Sequence, residues 1–264
     1  MDLKLKDKIA LISGSTAGIG FATAKRLLTE EATVIVNGRT KKTVDEAVSE
    51  LKKLVPGAKV SGIAADFSKV DEVNHLISQI PEIDILINNA GIFEPIPFKD
   101  IPDADWFKLF EVNVMSGVRL SRHYFPKMLE KNWGRIIFIS SESAVFIPDE
   151  MIHYGMTKTA QLAVSRGLAE LTKGTEVTVN SILPGPTMSK GAGEFIKDIS
   201  KKDNITPKEV EQNFFKNLRP SSLLQRFASV DEVADTIAYY VSPLASATNG
   251  ASIRVEGGLI RSIL

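Results

Sequence analysis

Tyr154 and Lys158 stand four residues apart, and Ser141 lies thirteen residues before the tyrosine. On a helix, positions four apart share one face, so Lys158 can sit beneath the Tyr154 hydroxyl. A free phenol ionises near pH 10 and is a poor acid or base at neutrality. An adjacent ammonium favours phenolate, and a drop of three units would be roughly 4 kcal/mol of differential stabilisation. Ser141 closes an apolar run, residues 135–141, that reads as a buried strand. Side chains at the end of a parallel strand can meet the helix that follows.

A second motif lies near the N-terminus. Residues 8–13 are a short apolar run, residues 14–20 are a glycine-rich turn, and a helical stretch follows. Strand, glycine turn and helix in that order form a dinucleotide phosphate site. Gly14, Gly18 and Gly20, with Ser15, Thr16 and Ile19 between them, allow a tight turn and close approach of the pyrophosphate to the helix N-terminus. Lysines at 4, 6 and 8 ahead of this run imitate a secretory signal. Gly14, Gly18 and Gly20 interrupt it too early for a signal core.

Alternating apolar runs and helical stretches position both motifs. Strands are expected at 8–13, 33–37, 59–64, 84–88, 134–140, 177–183 and 251–255. Helices are expected near 18–30, 41–54, 69–79, 103–131, 152–173 and 229–241. Ser229/Glu232 and Thr206/Glu209 read as capping boxes, the second with Pro207 in the first turn. The pattern implies an α/β doubly wound parallel sheet of about seven strands, flanked by helices on both faces. Ligands of such sheets bind beyond the carboxyl ends of the strands, where every motif above falls. One domain spanning 1–264 is expected, with a lid carrying short helices of its own at about 186–222 because that connection exceeds ordinary loop length.

In order and spacing these landmarks resemble the short-chain dehydrogenase/reductase family, in its single-domain, Rossmann-type branch. The resemblance runs from Lys8 to Gly258 through the glycine turn, Asp66, Asn88, Asn89, Ala90, Gly91, Asn113, Ser141, Tyr154, Lys158, Pro184 and Gly185. It implies that Ser141 hydrogen-bonds the substrate oxygen and that Tyr154 gives or takes its proton. Lys158 would lower the tyrosine pKa and bind the nicotinamide ribose. Asn113 would kink its helix and hold a water beneath the lysine, completing a proton path. Asp66 and Phe67 would meet the adenine; Asn89, Ala90 and Gly91 the cofactor ribose; Thr187 and Ser189 the carboxamide. Departures are mild: Ser13 and Ser189 stand where threonine is usual, and Ala144 where glycine is frequent.

The cofactor is expected to be NADP(H), with NAD(H) possible. The second strand ends at Asn37 and Gly38 without a carboxylate, and Arg39, Lys41 and Lys42 follow. A carboxylate there would hold the ribose and repel a 2′-phosphate, whereas Arg39 can pair with one and Gly38 leaves it room.

Composition narrows the partners. With 32 basic and 32 acidic residues the formal charge is zero, and no basic block suggests nucleic acid. No apolar stretch approaches membrane-spanning length, and cytoplasm is the default. Cysteine is absent, and the histidines at 75, 123 and 153 lack metal-ligand spacing, so no metal is expected. The partner is a small carbonyl or alcohol substrate, and a homotetramer (or homodimer) is implied by the resemblance. Phe93, Ile96, Val145, Phe146, Ile147, Phe195, Ile196, Phe214, Phe215 and Leu218 point to a partly apolar pocket or to self-packing of the lid. Glu142 reads first as a surface salt bridge. Asn132 and Thr175 stand where relatives acting on acyl-carrier protein carry basic residues, which weakens a 3-oxoacyl-carrier-protein reductase reading. An idle NADP-binding regulator is the other alternative, opposed by the intact Asn113, Ser141, Tyr154 and Lys158.

Overall fold

The computed structural model describes residues 1–263, and for Phe195, named above on the lid, the backbone alone. Among the described residues the strands are β1 (Ile9–Ile12), β2 (Thr33–Gly38), β3 (Val60–Ala64), β4 (Ile85–Asn88), β5 (Gly134–Ile139), β6 (Val177–Pro184), β7 (Thr187–Met188), β8 (Ala228–Ser229) and β9 (Ser252–Val255). The helices are α1 (Gly18–Thr29), α2 (Lys41–Leu54), α3 (Val70–Gln79), α4 (Asp103–Phe110), α5 (Ser116–Glu130), α6 (Ile152–Glu170), α7 (Lys190–Asp203), α8 (Pro207–Asn217) and α9 (Val230–Tyr240). Seven strands form one parallel sheet in the order β3-β2-β1-β4-β5-β6-β9, while β7 and β8 pair separately.

Alternation along each strand divides the core into two layers. Ala10, Ile12, Ile85, Ile87 and Ile137 pack with Leu27, Leu51 and Ile237 of α1, α2 and α9. Leu11, Leu86, Ile136 and Phe138 face the other way, against Leu76, Leu120, Tyr124 and Ala169 of α3, α5 and α6. Each fully buried Leu, Ile or Phe contributes roughly 1.5–3 kcal/mol, so both faces of the sheet are held firmly. Strand order reverses at β1, between β2 and β4, and the crevice above that point is where such a sheet takes a ligand.

One expectation changes. The helix expected over 103–131 is not uniform: a π-helical turn, Glu111–Met115, separates α4 from α5 and carries Asn113. Such turns concentrate at functional sites, because one extra residue re-aims the side chains around it. The 186–222 segment is mostly helical, built from α7 and α8. Ser189 caps α7 through Ala192 N–H, and Asn204 ends it in the left-handed conformation at φ +52°. Both expected capping boxes are present, at the starts of α8 and α9.

Candidate active site

The glycine turn leaves β1 and enters α1. Gly14 and Gly18 take φ of +61° and +60°, which favour glycine. At Gly20 a Cβ would lie 2.6 Å from Asn89 Nδ2 and 2.7 Å from Gly14 O, so only glycine lets α1 start this close to β1. Neighbouring strands clamp the turn. Asn37 Oδ1 accepts Gly14 N–H at 3.1 Å, and Ser15 Oγ accepts Asn37 N–H at 2.9 Å. Ser13 Oγ accepts the backbone amides of Asn89 and Ala90, while Asn89 Nδ2 donates to the carbonyls of Ser13 and Gly14. Ile19 packs on the core beneath. The α1 N-cap, Ala17, offers no side-chain hydrogen bond. An N-terminus uncapped by any side chain, facing glycines whose Cβ atoms would close the space, fits a dinucleotide phosphate.

Asn113, Ser141, Tyr154 and Lys158 come together at the carboxyl ends of β4 and β5. Asn113 Nδ2 donates to Ile92 O at 2.9 Å and to Thr157 Oγ1 at 3.0 Å, and its Oδ1 accepts Ile92 N–H at 2.8 Å. One amide therefore ties the loop after β4 to α6. Ser140 Oγ donates to Lys158 O at 2.8 Å, joining α6 to β5. Lys158 Nζ donates to Ile139 O at 2.9 Å and Gln161 Oε1 at 3.3 Å, and lies 5.5 Å from the Tyr154 ring centroid. A Cβ on Gly91 would lie 3.4 Å from that ammonium, so Gly91 keeps the approach to it open.

Two polar residues join this group. Gln161 is buried, and its Nε2 donates to Asn113 O at 2.5 Å while its Oε1 accepts from Lys158. A carboxamide thus bridges Asn113 and Lys158. Glu142 is also buried, not a surface salt bridge. Its Oε2 lies 2.5 Å from Ser141 Oγ, and its Oε1 lies 3.8 Å from Arg219 Nε of the segment after α8. Arg219 also reaches Glu150, at 3.1 Å, and lies over the Phe214 ring.

The electrostatics depart from the simple tyrosine–lysine picture. Burial, followed by the Glu142 charge, pushes the Tyr154 phenol above its ordinary value; a hydrogen bond with Ser141 offsets this in part. Lys158, expected to depress the phenol, is itself lowered by burial and loses its charge before the phenol ionises; its Nζ is hydrogen-bonded to Ile139 O and Gln161 Oε1. Burial lowers Lys158 to about 8 against the opposing pull of Glu142. Burial also raises the Glu142 carboxyl, resisted by Ser141 and Arg219. Tyr154 is thereby kept protonated, the state needed to give a proton to a carbonyl oxygen.

The remaining expected residues divide between ligand-facing and structural work. Arg39 is exposed at the end of β2, as a phosphate ligand must be. A Cβ on Gly38 would strike Thr16 Cγ2 at 2.4 Å, so Gly38 makes room for Thr16 of the glycine turn. Asp66 Oδ1 accepts the Ser68 amide and hydroxyl in a local turn. Ser68 does not cap α3, whose N-cap is Lys69. The Phe67 side chain is in the core. Gly185 permits close passage of Glu256, whose Cα would lie 2.7 Å from a Cβ there; Pro184 pairs with Val255. Thr187 Oγ1 donates to Gly185 O at 2.9 Å, and Ser189 Cβ lies 3.6 Å from where Gly18 would carry a Cβ. Phe214 and Phe215 pack with Phe227, and Ile196 is buried. Phe93, Val145, Phe146, Ile147 and Leu218 are exposed, and Phe93 meets the Tyr154 ring edge-on at 6.0 Å. Asn132 and Thr175 precede β5 and β6, at the opposite end of the sheet from Tyr154.

A family model described as short chain dehydrogenase matches residues 8–199. Two relatives from Bacillus subtilis (strain 168), the uncharacterized oxidoreductases YvrD and YvaG, are 51% identical over 266 residues and 47% identical over 263 residues. In both cases all of each chain is covered. Among solved structures, L-sorbose reductase from Gluconobacter frateurii, complexed with NADPH and L-sorbose, is 29% identical at a TM-score of 0.93, covering 100% of both chains.

Proposed function

The chain belongs to the short-chain dehydrogenase family and is an oxidoreductase of the CH–OH/C=O type; we propose that it is NADP(H)-dependent, interconverting a carbonyl and a secondary alcohol with Tyr154 as general acid/base. The observation that carries this reading is the meeting of Ser141, Tyr154 and Lys158 with the glycine turn, at the ends of adjoining strands. Nicotinamide supplies the hydride when bound. The turn at 14–20 and the α1 N-terminus hold the phosphates, Gly91 and Lys158 admit the ribose, and Thr187 and Ser189 lie beside them. Tyr154 delivers or removes the proton at the substrate oxygen, which Ser141 orients. The 186–222 segment is the lid.

Likeness to a reductase crystallised with NADPH and L-sorbose supports NADPH and makes hydroxylated ketones the first substrates to try. Nicotinamide absorbance should fall with NADPH and one or more members of a ketone and aldehyde panel. Arg39→Asp should weaken NADPH at least tenfold more than NADH, about 1.4 kcal/mol of lost charge pairing. Equal effects on the two would sink the NADP assignment.

A homotetramer or homodimer suits the outer face of α6, where Ala163 and Gly167 are exposed and a Cβ on Gly167 would meet nothing. Light scattering should give a multiple of 28.8 kDa; a monomer mass would remove this assignment. Among the described residues no helix is long and apolar enough to cross a membrane.

A further inference from the structure

Ser141 has one proton and two lone pairs to distribute. Its Oγ already accepts Ser143 N–H at 3.1 Å and shares the 2.5 Å hydrogen bond with Glu142 Oε2. The third position meets Tyr154 in this structure and is the one a substrate oxygen would take; the proton's place in the Ser141–Glu142 bond decides what that position offers. An ionised Glu142 takes the serine proton, and Oγ can then only accept. A protonated Glu142 donates to Oγ, fills its second lone pair and leaves the serine O–H free to donate outward. A carbonyl oxygen has no proton to give and needs the donor. Resting on the reductase reading, we infer that Glu142 is a positioning residue: as the neutral acid it turns Ser141 into a hydrogen-bond donor toward the carbonyl oxygen.

The surroundings favour the neutral acid. Arg219 is the guanidinium facing Glu142, but at 3.8 Å, while its Nη2 lies 3.1 Å from Glu150. Arg219 and Glu150 balance one another, so an ionised Glu142 would add a second negative charge in a buried place. Tyr154 and Lys158 face it from α6; the phenol offers no charge to compensate, and Lys158 is itself lowered by burial. Burial therefore raises the Glu142 carboxyl in spite of Arg219. The sequence-distant Arg219 belongs to the segment following α8, so its seating also couples that segment to the serine.

The test is carbonyl reduction against pH in the wild type, Glu142→Gln and Glu142→Leu, together with infrared spectra of the protein without cofactor. The glutamine amide donates to Ser141 Oγ at every pH, whereas leucine cannot donate. Wild-type kcat/KM should fall about tenfold per pH unit above the Glu142 ionisation. Glu142→Gln should remain within about tenfold of the acid-side rate and lose that limb, keeping only the one due to Lys158. Glu142→Leu, which can neither donate to Ser141 nor take its proton, should lose the same limb and be slower only through the loss of serine orientation, by about tenfold. A protonated-carboxyl stretch should be present at neutral pH in the wild type and missing from Glu142→Gln. Superimposable wild-type and Glu142→Gln profiles, or no such stretch at neutral pH, would overturn the inference. Failure of the wild type to oxidise NADPH with any carbonyl would instead defeat the reductase reading, and the infrared spectrum would still decide the state of Glu142.

Discussion

Tyr154→Phe should bind NADPH within about threefold of the wild type and reduce carbonyl substrate about 10³-fold more slowly. The substitution removes one oxygen and keeps the ring that meets Phe93 edge-on at 6.0 Å. Because burial holds the phenol above its ordinary value, Tyr154 is neutral over the working range. Its replacement therefore removes no buried charge, and the stability change should be about 1 kcal/mol, one net hydrogen bond. Loss of turnover with a melting temperature lowered by only about 2–4 °C would show that the proton passes through this oxygen. The direction of the shift adds a pH dependence. Carbonyl reduction uses the protonated phenol and should persist into alkaline solution as far as Tyr154 is concerned. Alcohol oxidation needs phenolate, so its rate should climb with pH. Single-turnover rates in both directions check this, and turnover retained in Tyr154→Phe would move the proton to Ser141 and Glu142.

The sheet was readable from sequence because its signals are local: apolar runs separated by helices, with capping residues at fixed offsets. Ser229/Glu232 and Thr206/Glu209 need only their own helix to act, and both behave as expected. Asn113, Ser141, Tyr154 and Lys158 could be singled out because strand order brings strand ends together whatever surrounds them. What escaped depends on contacts between distant segments. Nothing near Glu142 announces Arg219, so its adjacency to Ser141 was visible while its burial was not. Gln161 looked like an ordinary helical residue; the signal was a polar side chain three positions after Lys158, on the face that meets Asn113. The closeness of Gly38 to Thr16 is a packing relation that spacing does not encode. The local turn in which Asp66 Oδ1 accepts the Ser68 amide and hydroxyl is equally unannounced by spacing. The π-helical turn at Asn113 has a sequence trace only in retrospect, as an asparagine inside a helix that binds Ile92 and Thr157 instead of solvent.

Lys158→Met should separate catalytic need from structural cost. Turnover is expected to fall about 10³-fold, since on the proposed mechanism the variant loses the cation beside the phenol and the donor that would reach the ribose. Methionine approximates the lysine stem, so the fold should survive. Two effects on stability then oppose one another. Ile139 O and Gln161 Oε1 lose the donor that reaches them at 2.9 and 3.3 Å, each orphaned acceptor costing roughly 1–3 kcal/mol. Removing a buried ammonium relieves a penalty of similar size, because burial lowers Lys158 to about 8 from an unfolded value near 10.4. Only the second effect depends on pH. Below about 8 both folded and unfolded wild-type chains hold the proton, and the burial penalty is fully present. Between that value and about 10.4 the unfolded chain binds more protons, so wild-type stability rises with pH relative to the methionine variant, by about 3 kcal/mol in all. Denaturant unfolding of both proteins at pH 7, 9 and 10.5 measures the difference. A gap that shifts toward the wild type as pH rises would show a lysine kept in an unfavourable place for its chemistry. Parallel stability curves would mean that Lys158 is solvated as well in the folded chain as in the unfolded one.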